Sequence, residues 1–314
     1  METVNKLSGF AKYAWGVLAY NVVVILWGVF LRASKSGDGC GQHWLTCHGE
    51  VIPSAPELKT IIEFSHRITS FLAFVSVLIL VIWAFRKFGK GERIRRTAVG
   101  SFLFVVTEAL VGAGLVLTGN TADALTFARP FWMTGHLLNT FILLMFLTST
   151  AWFASGGRPL NFLGKQKYLL AIGGSVLAIA IVGATGSIAA LATMLFPSES
   201  ISAGITEDLA ATSNILVRLR VLHPISSILV SVLLIFVAGW LARESGDKPG
   251  VRRWSNVLSV LILLQIAFGA ATLLTLGPIV MQLGHLLLAD AIWISFVLLC
   301  LNFLSEPSRD GLAN

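Results

Sequence analysis

Eight apolar runs, each long enough to cross a lipid bilayer, take up most of this 314-residue chain. A helix needs about 20 such residues to span the hydrocarbon. Runs of that length lie near 13–31, 61–85, 97–118, 131–154, 168–191, 214–242, 254–276 and 279–303. In lipid every backbone N–H and C=O must be bonded within the protein, which leaves helices as the structures these runs can form. The mean hydropathy of +0.81, with 55% of residues hydrophobic and 12% charged, lies far from the balance of a soluble domain. The expected fold is therefore an all-α integral membrane protein with eight transmembrane helices. The ends, 1–12 and 304–314, are expected to carry no folded unit of their own.

The net charge of +7 would suggest nucleic acid in a soluble protein, but the placement of the charges points to the bilayer instead. Counting outward from the N-terminus, one side of the membrane receives 16 of the 23 Lys and Arg, from Lys6 and Lys12 through the segments at 86–96, 158–167 and 243–253 to Arg309. The other side receives Arg32, Lys35, Lys59 and Arg129. This asymmetry predicts both termini in the cytoplasm of a bacterial plasma membrane, and no nucleic-acid partner. The uncharged run from Tyr13 to Leu31 is longer than a signal-peptide core and lacks a small-x-small cleavage site after it, so it is expected to be an uncleaved first helix.

Four histidines each begin an apolar run: His66, His136, His223 and His285. An ionisable group is costly in lipid, which makes each a functional candidate. Their contexts repeat. His66-Arg-Ile-Thr-Ser70 matches His223-Pro-Ile-Ser-Ser227, and Gly135-His-Leu-Leu138 matches Gly284-His-Leu-Leu287. Ahead of the second histidine of each pair, Leu110–Gly119 lines up with Ile266–Thr275. The expected architecture is thus two tandem four-helix bundles, 1–157 and 158–314, related by a parallel pseudo-two-fold repeat. Pro56, Pro130 and Pro278 read as first-turn prolines, which sets His66, His136 and His285 at similar depth. Each half can then bring two imidazoles from two parallel helices to opposite faces of one flat macrocycle. A bare metal is disfavoured, because the second-half histidines lack nearby carboxylates or thiolates.

The neighbours of the histidines differ between the halves. Glu63, an acid among Ile61, Ile62 and Phe64, shares a helix face with His66 three residues later and can donate or accept a proton there. The matching place before His223 holds Arg220, a cation suited to anchoring a cofactor carboxylate. The alternatives are a structural hydrogen bond for Glu63 and a lipid-headgroup contact for Arg220. Glu108, a second acid inside a span, either bonds to a neighbouring helix or belongs to a proton path. Gly112, Gly114 and Gly269 allow close packing of helices or of a flat ligand. Cys40 and Cys47 share the first outer loop and can form a disulfide outside a plasma membrane, or remain as two thiols. His43 and His48, in and beside that loop, read as ordinary exposed residues, with a redox or metal-delivery role as the alternative, and Cys300 packs alone in the last span.

With Gly39-Cys-Gly-Gln-His-Trp-Leu-Thr-Cys-His-Gly49 followed by Glu63-Phe-Ser-His-Arg67, the chain resembles the bacterial haem A synthase family, and the likeness runs through all eight spans. The resemblance implies oxidation of a ring methyl of haem O to a formyl group by successive hydroxylations. It implies haem O supplied by haem O synthase and a product destined for terminal oxidase. It also implies that His66 and His136, with Arg67 beside them, serve the substrate haem. His223 and His285, with Arg220, would bind a haem b cofactor. All four would be axial ligands to haem iron. The family's essential acid falls on Glu63, and its outer-loop disulfide on Cys40 and Cys47. Residues 192–213 contain no cysteine where some members carry a second pair, which excludes a relay through a second disulfide.

Two other readings compete with this one. In a dihaem b electron-transfer cytochrome both pairs would hold permanent haem and nothing would turn over. A transporter with a parallel repeat would leave the four histidines and the Glu63 to Arg220 exchange without a role. Electron partners, oxygen source and homo-oligomeric state are left open by the sequence.

Overall fold

A computed structural model describes residues 7–246 and 248–306. Lys6 and Arg309, both counted in the charge asymmetry, lie outside the described residues. The helices in chain order are α1 (Gly9–Ala33), α2 (Leu58–Lys87), α3 (Arg93–Leu117), α4 (Arg129–Ala154), α5 (Gln166–Leu195), α6 (Ile201–Leu209), α7 (Ile215–Leu219), α8 (Leu222–Glu244), α9 (Pro249–Leu274) and α10 (Ile279–Leu304). Eight helical stretches are long and apolar enough to cross a membrane, with α7 and α8 together forming the sixth. The chain is a multi-pass membrane protein.

Local chemistry sets several boundaries. Ser8 caps α1 by accepting from Ala11 N–H at 3.2 Å. Pro130 stands in the first turn of α4, as expected of it. Pro278 is instead the N-cap of α10, and Pro56 lies just ahead of α2, whose N-cap is Glu57. The sixth span is broken at Arg220 and Val221, between α7 and α8. Pro224 explains the break: its ring has no N–H to donate and collides with the carbonyl four residues back, that of Arg220. His223 therefore sits in the first turn of α8, with its N–H reaching the Arg220 carbonyl at 3.3 Å.

Helices α3 and α9 end alike. Thr118 and Thr275 bond back to the carbonyls of Gly114 and Ala271, and a left-handed residue follows each, Gly119 at φ 66° and Leu276 at φ 58°. The N–H groups of Asn120 and Gly277 then reach back five residues to Leu115 and Thr272. This pairs Thr118 with Thr275, one residue away from the expected register of Leu110–Gly119 on Ile266–Thr275.

Helix α1 packs on α2, α4 and α10; α3 on α2 and α4; α5 on α4, α7 and α8; α9 on α8 and α10. Along α1, Tyr13, Tyr20 and Trp27 recur every seven residues, nearly on one face. They donate to Ser76 O (2.9 Å), Thr69 O (3.1 Å) and Ser65 Oγ (3.2 Å) of α2. The centre of the molecule is the pair α4 and α10, each 56% buried over its most apolar stretch, against 11–28% for the other spans. There Trp293 Nε1 donates to Phe141 O at 2.7 Å, with both residues buried, and ties the two central helices together.

Candidate functional site

The two central helices carry His136 and His285, and α2 and α8 carry His66 and His223. All four imidazoles are seated against a glycine of the span before their own. A Cβ at Gly28 would stand 3.0 Å from His66 Cε1, at Gly186 2.9 Å from His223 Cε1, and at Gly269 3.0 Å from His285 Cε1. At Gly112 it would stand 3.9 Å from His136 Nε2. Gly112 and Gly269 thus hold equivalent places, in the same register as the two helix ends.

In the second pocket the rings of His223 and His285 meet edge to face, with centroids 6.1 Å apart and planes at 87°. Gln265 Nε2 lies 3.3 Å from His285 Nε2, and Thr185 Oγ1 lies 3.5 Å from His223 Nδ1. In the first pocket His66 and His136 lie within electrostatic reach of each other and of Glu108. Glu108 Oε1 is 3.2 Å from His136 Nδ1, close enough to pair with that ring nitrogen. The same carboxylate accepts from Asn139 Nδ2 at 2.5 Å and from Thr140 Oγ1, so α4 holds it in place. Glu108 and Gln265 each lie four residues before the glycine that seats the histidine, which makes them counterparts. The sequence reading named Glu108 without its histidine and missed Gln265. The available signal was the shared x3-Gly spacing, hidden by the one-residue slip in register.

These residues fit a flat bis-imidazole macrocycle. Two histidines converge in each half, and the buried Nδ1 atoms of His66 and His285 have no hydrogen-bond partner. His136 keeps 33% of its side chain exposed although it stands on the most buried helix pair. Among the described residues no three His, Cys, Asp or Glu side chains gather into a cage for a bare ion.

Glu63 is buried, and both of its oxygens are engaged. Oε2 accepts from Cys40 N–H at 2.8 Å, and Oε1 forms a salt bridge with Arg67. Arg67 in turn donates to Trp44 O at 3.0 Å and Thr46 O at 2.9 Å. Cys40 and Cys47 form the disulfide, with Cα atoms 4.4 Å apart. His48 is exposed, as expected, and also holds Gly39 O through a ring nitrogen at 2.9 Å, while Thr60 Oγ1 donates to the same carbonyl at 2.6 Å. The first loop is therefore strapped to α2 by the Glu63–Arg67 pair.

Arg220 is engaged in the same way. Its Nε and Nη2 reach Asp208 Oδ1 at 2.8 and 2.7 Å, and Nη2 also reaches Ser198 Oγ at 3.2 Å and Gly204 O at 3.4 Å. It clamps the segment around α6 rather than standing as a free cation. The contrast of an acid in one half with a base in the other shrinks accordingly, since each half has an arginine–carboxylate pair tying down a loop. The contrast that remains at the histidines is Glu108 against Gln265.

The family model described as COX15-CtaA, cytochrome oxidase assembly protein, matches residues 11–297. A Thermus thermophilus protein named Protoheme IX farnesyltransferase is 45% identical over 302 residues, 96% of this chain and 50% of its own. This chain thus spans about half the length of that relative. A Halalkalibacterium halodurans protein named Heme A synthase is 31% identical over 285 residues, 89% of this chain and 91% of its own. One from Shouchella clausii with the same name is 29% identical over 289 residues. With the family match running through all eight spans and their paired histidines, the chain belongs to the COX15-CtaA family of cytochrome oxidase assembly proteins.

Proposed function

We propose that this protein is a haem A synthase: a membrane haem-dependent oxidoreductase that oxidises a ring methyl of haem O to a formyl group by successive hydroxylations. The observation that carries the reading is the set of four glycine-seated imidazoles in two pairs, with a carboxylate beside only one pair. The halves 1–157 and 158–314 act as a substrate unit and a cofactor unit. His66 and His136 bind the iron of haem O, and His223 and His285 that of a resident haem b. When bound, haem b supplies one-electron transfer. The equivalent helix ends of α3 and α9, and the exchange of contacts by which α1 packs on α10 and α5 on α4, support the parallel two-fold repeat.

Glu63 is the group that holds and moves a proton in the first pocket, three residues from His66 and steadied by Arg67 and Cys40 N–H. Glu108 orients His136, as a carboxylate behind a ligating imidazole does. The plasma membrane as location and both termini in the cytoplasm follow from the charge asymmetry. A relative named Protoheme IX farnesyltransferase, twice this chain's length, supports a supplier of farnesylated haem as partner. Terminal oxidase assembly is the recipient, as the family description supports. Glu63→Gln tests the assignment. In cells that make haem O, the variant should keep its haem b absorbance and yield no haem A, and a normal haem A yield would remove Glu63 from the mechanism.

A further inference from the structure

Two arginines at the disulfide-loop end of the bundle have no acid of their own. Arg129 is buried to 2% exposure and donates from Nη1 to Ala124 O at 2.5 Å and from Nη2 to Ala122 O at 2.6 Å, both neutral carbonyls. Arg32 has one weak bond, from Nη2 to Gln282 Oε1 at 3.4 Å. The Nε of each is buried and unbonded. The two guanidiniums lie within electrostatic reach of each other, and neither forms a salt bridge among the described residues. Asp123, within reach of Arg129, is bonded to Lys35 at 2.8 Å, whose ammonium holds that carboxyl below its usual range. Two like charges, Arg129 buried and Arg32 half-buried, each with a buried spare donor, call for an anion.

Register ties the pair to the first pocket. Arg32 follows Gly28, the seat of His66, by four residues, which puts it on the same face of α1, about 6 Å further toward the loop end at 1.5 Å per residue. Arg129 precedes His136 by seven residues, nearly two full turns on the same face of α4, about 10 Å in the same direction. The matching places of the second half hold Ala190, four residues after Gly186, and Pro278, seven before His285. Arg67 and Arg220, expected as haem-binding residues from sequence, are taken up by loop carbonyls and acids.

We propose that Arg32 and Arg129 form a carboxylate-binding end of the first pocket that grips the acid side chains of the substrate macrocycle. The inference rests on the substrate reading of that pocket and adds to it the residues that orient the ring. Charge-assisted hydrogen bonds from guanidinium to carboxylate are the strong kind, and a planar fork suits a carboxylate better than an ammonium does.

Full-length protein carrying its second-half haem, made without haem O synthase, is titrated with haem O and with haem O dimethyl ester, following absorbance that His66→Ala abolishes. Wild type should bind the free acid roughly tenfold to a hundredfold more tightly than the ester. Arg32→Gln and Arg129→Gln should each lose most of that preference while binding the ester as before, and Arg32→Lys should restore part of it. An unchanged second-half haem spectrum reports an intact fold. Equal binding of acid and ester by wild type overturns the proposal, as does loosening of the second-half haem in place of the first. Variants that keep the preference but release bound phospholipid also overturn it, because the anion is then a lipid headgroup. Wild type with no His66-dependent haem uptake overturns the proposed function itself.

Discussion

Glu108 and Gln265 differ by a charge, and the charge falls beside the histidine of one pocket only. A carboxylate behind a ligating imidazole makes it a stronger donor and favours the more oxidised metal. Glu108→Gln should therefore raise the reduction potential of a haem held by His66 and His136 and leave that of the second-half haem in place. Redox titration of the two signals reads this, and an unmoved first-half potential would sink the pairing. The acid at position 108 was legible as a buried carboxylate, but its partner was not. His136 comes 28 residues later on another helix, and only the packing of α3 against α4 decides which side chains meet. Arg220 illustrates the same limit. Its charge was plain, while Asp208 lies 12 residues earlier on the short helix α6, whose placement against α7 and α8 no periodicity reveals.

At the scale of elements, the glycine seats turn a helix pair into a holder for an imidazole. A methyl group at Gly186 would meet His223 Cε1 at 2.9 Å, closer than such contacts allow, and the ring would have to move. Gly186→Ala should lower haem b occupancy severalfold in purified protein, whereas Gly173→Ala on the same helix, with open space around it, should not. Full occupancy in the first variant would show that the notch does not position the ligand. All eight spans could be read from apolar length, because a membrane leaves helix as the available structure. The expected boundaries fall within a few residues of most helix ends. The break in the sixth span does not show in apolar length, because the run continues through it, although Pro224 carries its cause. The one-residue slip between α3 and α9 does not show there either. Small residues such as Gly and Ala align equally well in either register, and the contact with histidine decides between them.

Across the whole molecule, α4 and α10 form a buried centre from which the two histidine pairs open to either side, joined by the Trp293 to Phe141 bond. Family membership and eight spans rest on most of the chain, while the proposed division of labour between the halves rests on a few side chains: Glu63, Glu108, Arg32 and Arg129 in the first, Gln265, Ala190 and Pro278 in the second. That division is the central claim, and haem analysis tests it most directly. Protein purified from cells that also make haem O is extracted with acid solvent and its haems are separated. The account predicts haem b together with haem O, a hydroxylated intermediate or haem A, with the second group lost in His66→Ala and haem b lost in His223→Ala. Haem b alone, at two per chain and released equally by both variants, would contradict it and make the protein an electron-transfer cytochrome.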